Sequence, residues 1–214
     1  MATESQICKD WVKAFPALVR FKGGRRLLCL QEPVVYGVEI EKFTSEAYRP
    51  KFVALNLLSS FPEFAISRTL ATKRRPQLSV SYAKHDSEFE EAAGIMKATF
   101  PILSSSECLD QQLMIEVYRC EVEEILKESA SPLAVWFSLI QLLVFFGDEE
   151  GARMEREQMD SYVRKLSPSS LAVFGDFEAF LKRELEVAPN VLEERMRSNL
   201  AKGKWEILSS GSTR

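Results

Sequence analysis

The sequence predicts an α+β protein: an N-terminal antiparallel β-meander followed by a C-terminal array of about six α-helices. Two observations carry that expectation. Apolar residues alternate with a period near two as far as residue 85, and from residue 86 onward they recur at helical spacing. The charge changes at the same place. Residues 1–85 hold 14 Lys/Arg against 7 Asp/Glu, a net of +7, and residues 86–214 hold 14 against 24, a net of −10. The total of −3 over 214 residues therefore conceals a basic front and an acidic back. The expected organisation is a basic β-sheet region at 1–85 with a short N-terminal helix, an acidic helical region at 86–202 packed with it, and a flexible tail at 203–214.

Residues 7–21 open with a short amphipathic helix, Ile7, Trp11, Val12 and Phe15 on one side, which Pro16 ends. Gly23-Gly24 suits a tight turn. Leu27–Leu30 reads as a strand interrupted at Glu32-Pro33. Val34–Phe43 then alternates, with Val34, Tyr36, Val38 and Ile40 against Val35, Gly37, Glu39 and Glu41, a half-buried strand with its acids on the solvent face. Lys51–Leu58, Phe64–Ala71 and Gln77–Tyr82 complete a meander of four or five strands joined by short connections.

Beyond the sheet, Asp86 or Ser87 caps a helix that buries Phe89, Ala92, Ala93, Met96 and Phe100 and stops at Pro101. A second helix spans about 109–128, with Ile115, Tyr118, Val122, Ile125 and Leu126 inward. The third, 132–146, has 12 apolar residues among the 14 of Leu133–Phe146, which is short of the roughly 20 that cross a bilayer and fits a helix buried on nearly all sides. A fourth runs from Asp148 to Leu166. The fifth starts at Ser167-Pro168 and carries Leu171, Phe174, Phe177, Phe180, Leu181 and Leu185. The sixth starts at Pro189 with Leu192, Met196 and Leu200 inward, and Trp205 and Ile207 of the tail are apolar enough to tuck down.

The stretch from Leu139 to Ala152 places an apolar helix before Gly147-Asp148 and a small residue early in the next helix. It resembles the turn between paired helices of tetratricopeptide-type repeats. The resemblance covers one hairpin, with no second copy at a period near 34, and implies an αα-hairpin there.

Composition places the chain in the globular range, with 46% hydrophobic and 28% charged residues. Its N-terminus lacks the basic start and apolar run of a secretory signal, and Cys8, Cys29, Cys108 and Cys120 show no paired spacing, so reduced thiols in a cytoplasmic protein are expected. No catalytic residue, metal site or cofactor is assigned. The single histidine, His85, reads as a polar loop residue between Lys84 and Asp86. C-x-x-C, H-x-x-x-H, P-loop, G-x-G-x-x-G and G-x-S-x-G patterns do not occur. Glu39-Ile40-Glu41-Lys42 approaches the acid–lysine strand motif of metal-dependent nucleases, but by period-two geometry neither acid shares a face with the lysine.

The charged clusters remain. Arg25 and Arg26 near the first turn, Arg49 after Tyr48, and Lys73-Arg74-Arg75 are candidate partner-binding residues if their loops converge. Glu121, Glu123, Glu124 and Glu128 form a candidate acidic docking face. The expected function is a non-enzymatic protein–protein interaction module: an adaptor, regulator or immunity-type inhibitor that uses charged surfaces to select its partner. The alternatives are nucleic-acid binding through the basic loops and a carboxylate-dependent hydrolase using Glu39 or Glu41.

Overall fold

Alternation in the first half of the chain becomes a six-stranded antiparallel sheet. In the computed structural model, which describes residues 1–60, 64–72, 76–104, 110–128, 130–205 and 208, helix α1 (Glu4–Ala14) comes first. It is followed by β1 (Val19–Arg20), β2 (Arg26–Gln31), β3 (Val34–Lys42), β4 (Ala47–Asn56), β5 (Phe64–Thr69) and β6 (Val80–Ser81). The order is β1-β2-β3-β4-β5, with β6 pairing to β4. Arg26 faces Glu39 and Gln31 faces Val34 across the β2–β3 hairpin. Val34 to Val38 is buried on both faces, more deeply than alternation alone implies, and solvent reaches β3 only from Glu39 onward. Gly37 permits this packing, because a Cβ there would stand 2.0 Å from the carbonyl oxygen of Leu27.

Strand β4 starts earlier than the sequence suggests. Tyr48, which the sequence places before the expected strand Lys51–Leu58, is 0% accessible and pairs with Val80 of β6.

The helices follow: α2 (His85–Thr99), α3 (Gln111–Lys127), α4 (Leu133–Phe145), α5 (Glu149–Val163), α6 (Pro168–Leu171), α7 (Phe177–Leu185) and α8 (Pro189–Gly203). Ten of the 13 residues of α4 are buried, which is why its apolar run has so little amphipathic contrast. No helix among the described residues is long and apolar enough to cross a membrane. Helices α4 and α5 form the expected αα-hairpin, closed by Phe146-Gly147-Asp148, with the Asp148 side chain capping the amide of Gly151 at 2.8 Å. The single helix expected after Ser167-Pro168 is instead broken. Gly175 adopts a left-handed φ of 69° that ends one segment, and Asp176 caps the next by accepting from the amide of Ala179 at 3.0 Å.

The chain forms two compact units. The sheet unit comprises Met1–Leu55, Ile66–Asp110 and Lys204–Arg214; the helical unit comprises Asn56–Ala65 and Gln111–Gly203. The pattern changes period at residue 86, while the units exchange chain elsewhere, so α2 is counted with the sheet and 56–65 with the helices. Trp11, Phe15, Tyr36, Tyr48 and Phe52 fill the sheet unit, where Phe52 stacks on Phe100 at 4.1 Å between centroids. Trp205 also belongs to this unit and stacks on Phe21 at 4.6 Å, as expected of a tucked tail; Ile207 lies outside the described residues. Met114, Tyr118, Leu139, Leu142, Met159 and Leu192 fill the helical unit.

Candidate functional site

The basic residues singled out from the sequence lie beside carboxylates of their own unit. Arg25 and Arg20 both reach Glu4, at 2.7 and 3.3 Å. Arg26 pairs at 3.1 Å with Glu39, the residue it faces in the β2–β3 ladder. Arg49 and Lys51 share Glu41 at 3.5 and 2.7 Å, and Arg49 also donates to Gln77 and stacks over the Phe43 ring. Lys73, Arg74 and Arg75 lie outside the described residues. The strand acids of the nuclease-like motif are thus the counter-charges of a sheet face.

The acidic face divides in another way. Glu123, Glu124 and Glu128 are exposed, with Glu124 held by Lys127 at 2.6 Å, whereas Glu121 is only 9% accessible. Leu126, expected inward, is 39% exposed. Glu155 carries more structural weight than any of these. It is 7% accessible and accepts from Arg119 of α3 at 2.8 Å and from the indole of Trp136 in α4 at 3.1 Å, so one carboxylate joins α3, α4 and α5.

His85 is not a loop residue. It begins α2, is 2% accessible, and has both ring nitrogens engaged: Nε2 with Asp10 of α1 at 3.0 Å and Nδ1 with the Tyr48 hydroxyl at 3.0 Å. The Tyr48 oxygen in turn accepts from the Trp11 indole at 3.2 Å. Burial pushes the Tyr48 phenol well above its usual range, outweighing the Trp11 donation that pulls it down, so the hydroxyl keeps a proton to donate. One assignment satisfies every atom: Tyr48 donates to Nδ1, and Nε2–H donates to Asp10. An open cavity of about 450 Å³ lies beside Asp10 and His85. The imidazole offers it no spare nitrogen, and the relay ties α1, β4 and α2 together.

The helical unit contains a different arrangement. The Glu184 side chain, at the end of α7, is 2% exposed and accepts from five donors. These are the Ser60 amide at 3.1 Å, the Ser60 hydroxyl, Gln141 Nε2 at 3.2 Å, Arg183 Nε at 3.0 Å and Arg195 Nη1 at 3.5 Å. Burial pushes the Glu184 carboxyl up, but the Ser60, Arg183 and Arg195 contacts prevail and the net direction is down. Asn56 continues the network by donating to Gln141 Oε1 at 2.9 Å, and Asn199 holds the carbonyls of Leu57 and Ser59, both at 2.8 Å. Segment 56–60 is thereby fastened to α4, α7 and α8 through polar groups that all find partners.

Against this network lies a cavity of about 580 Å³ walled by Phe64, Phe137, Phe174 and Phe180, with Arg183 and Glu184 at its polar end. Phe137, Phe174, Phe177 and Phe180 form one cluster with centroid separations from 4.9 to 6.5 Å. Phe137 is buried, while Phe64, Phe174 and Phe180 are half-buried, so aromatic surface is presented to whatever enters. The volume falls within the roughly 300–1,000 Å³ typical of ligand sites, and the lining has their character, apolar and aromatic with a few placed polar groups. The sequence places Phe174, Phe177 and Phe180 on one expected helix, Phe137 on another and Phe64 on a strand. It does not show that the helix breaks at Gly175 and leaves them lining a cavity. Comparison with protein-family models, curated proteins and solved structures finds no significant match to this chain.

Proposed function

We propose that this chain is a non-enzymatic protein–protein interaction module, of adaptor, regulator or inhibitor type, and that the phenylalanine-lined cavity of the helical unit is its docking site. The observation that carries this reading is the set of half-buried rings around about 580 Å³ of open space, next to a network that already satisfies its own buried polar groups. Aromatic residues and arginine are the side chains that most often supply binding energy at protein interfaces, and a fixed apolar recess is where a partner's anchor inserts. Charged faces such as Arg26–Glu39 would then serve as surroundings that set approach and orientation. Nucleic-acid binding through the basic loops has less support, because Arg25, Arg26 and Arg49 each have a carboxylate beside them.

The test is capture of proteins from nuclease-treated lysate of the native source by the immobilised full chain, by its Phe180→Ala and Phe174→Ala variants, and by Arg74→Glu/Arg75→Glu. A stoichiometric protein held by the parent chain and lost by the phenylalanine variants is the expected result. Equal capture by the phenylalanine variants, or capture abolished by nuclease and by the arginine substitutions, would overturn the reading.

A further inference from the structure

We infer that the anchor received by the phenylalanine cavity is a tyrosine side chain of the partner, its ring among Phe137, Phe174 and Phe180 and its hydroxyl donating to Oγ of Ser138. This rests on the reading of the cavity as the docking site and adds the chemistry of what docks.

One face of α4 runs down the cavity wall. Ala134, Phe137 and Ser138 are spaced i, i+3 and i+4, so they share a side of the helix, and all three line the cavity. Ala134 is exposed, whereas Phe137 is 6% and Ser138 5% accessible. Phe174 and Phe180 are half-buried. The cavity therefore has an aromatic mouth and a deep end, and Ser138 lies at the deep end.

The Ser138 hydroxyl is unused. The backbone carbonyl of Ser138 takes Asn56 Nδ2 at 3.4 Å, but its Oγ has no hydrogen-bond partner among the described residues. Glu184 of the same lining differs, because its carboxylate already accepts from Ser60, Gln141 and Arg195. A helical serine can rest its own hydrogen on the carbonyl four residues back, which leaves its lone pairs for an incoming donor. A purely apolar anchor would seal this hydroxyl from water without a partner and lose affinity by doing so. A donor at the tip of the anchor removes that loss.

The walls select the body of the anchor. Phe180 meets Phe137 and Phe174 with centroids 5.0 and 4.9 Å apart and ring planes tilted by 55° and 51°. Aromatic pairs arranged in this way gain beyond their buried area, and an entering ring extends the set. Tyrosine carries its donor at the far end of the ring, on the long axis, so the hydroxyl reaches the deep end while the ring stays between the half-buried walls. The indole N–H of tryptophan projects from the side of a broader ring system, and an aliphatic side chain brings no tilted ring contact.

The probes are a short capped peptide carrying tyrosine, its phenylalanine and alanine counterparts, and free p-cresol. Each is titrated into the full chain and into its Ser138→Ala and Phe180→Ala variants, followed by NMR line broadening. The tyrosine peptide is expected to bind the parent chain on the order of tenfold more tightly than the phenylalanine peptide. In Ser138→Ala that preference should vanish through weaker binding of the tyrosine peptide, while the phenylalanine peptide binds as before or more tightly. The comparison of the two peptides on the parent chain decides the matter even if Ser138→Ala folds poorly.

A tyrosine preference that survives Ser138→Ala would overturn the hydroxyl contact. So would equal binding of the two peptides with both weakened by Phe180→Ala, and either result leaves the docking site standing. Binding indifferent to Phe180→Ala and to loss of the peptide's aromatic residue, or no binding by any probe at millimolar concentration, would overturn the docking site as well. Free p-cresol binding more tightly than the tyrosine peptide would overturn the protein side chain as occupant in favour of a free phenol.

Discussion

The buried polar assembly around His85 in the sheet unit and the one around Glu184 in the helical unit are built on different principles. In the sheet unit, Trp11, Tyr48, His85 and Asp10 pass hydrogen bonds along a line, with neutral groups in the interior and the only formal charge at the Asp10 end, where the side chain is 27% exposed. In the helical unit, a full carboxylate charge sits at 2% exposure and five donors converge on it. The line uses up its own donors and acceptors and leaves the neighbouring cavity no reactive nitrogen. The convergent assembly leaves one member, Arg183, at the surface, fixed by the charge it helps to bury. Both fasten elements together: the relay joins α1, β4 and α2, and the convergent network joins segment 56–60 to α4, α7 and α8.

The comparison is tested most severely at Glu184. Replacing it with leucine leaves Arg195, Gln141 and Ser60 without their common acceptor, and truncating one side of a buried ion network costs about 3–5 kcal/mol. Urea denaturation of the full chain measures it; a loss under about 1 kcal/mol would mean that the network is dispensable. The same residue sets a pH dependence. Its folded carboxyl titrates below the ordinary 4.5, so its stabilisation is complete above that value and disappears as pH falls through the lower folded value. The stability gap between the parent chain and Glu184→Gln should therefore be widest above pH 4.5 and close on acidification. A gap that widens in acid would contradict the assignment.

Tyr48→Phe is the corresponding probe of the relay, with a smaller expected effect. It removes one hydroxyl and strands two buried partners, the Trp11 indole and His85 Nδ1, at a cost of about 1–3 kcal/mol. Tyr118 of α3 provides the contrast. It is also 0% accessible, but its hydroxyl has no hydrogen-bond partner among the described residues. Tyr118→Phe is therefore expected to raise stability, by up to about 1 kcal/mol, since an unsatisfied buried hydroxyl is a cost that phenylalanine avoids. Opposite signs for two equally buried tyrosines, read from paired urea midpoints, are the expected outcome; equal losses would show that Tyr118 is satisfied.

How much of this was readable in the sequence follows from the range over which each feature is determined. The alternation of β3, the apolar run of α4 and the Gly147-Asp148 turn are local patterns, and the sheet and helices appear where those patterns lie. The relay is not local: His85 meets residues 37 and 75 positions away, and a polar residue flanked by Lys84 and Asp86 gives no sign of burial. Glu184 and Glu155 were hidden for a related reason. A charged residue in a helical pattern reads as solvated unless its donors are known, and most of theirs are distant: Arg119 and Trp136 for Glu155, and for Glu184, apart from adjacent Arg183, Gln141, Arg195 and Ser60, the last 124 positions away. The phenylalanine stripe was visible, but its exposure depends on the break at Gly175, where a single φ angle redirects the chain.

The smallest expected effect concerns the charge asymmetry with which the sequence is most easily read. Arg26 and Glu39 face each other across β2 and β3 with side chains 43% and 27% exposed. At that exposure, solvent and counter-ions screen the pair, and immobilising two long side chains offsets part of the attraction. A double-mutant cycle of Arg26→Ala and Glu39→Ala should return a coupling of about 0.2–1 kcal/mol that falls further in molar salt. A coupling of several kcal/mol would place the sheet face in the same class as Glu184 and remove the distinction between the two units. A small one would mean that the charge of the sheet face is available for orienting a partner at little cost to the fold, since charges that contribute little to stability can be arranged for approach and selection instead.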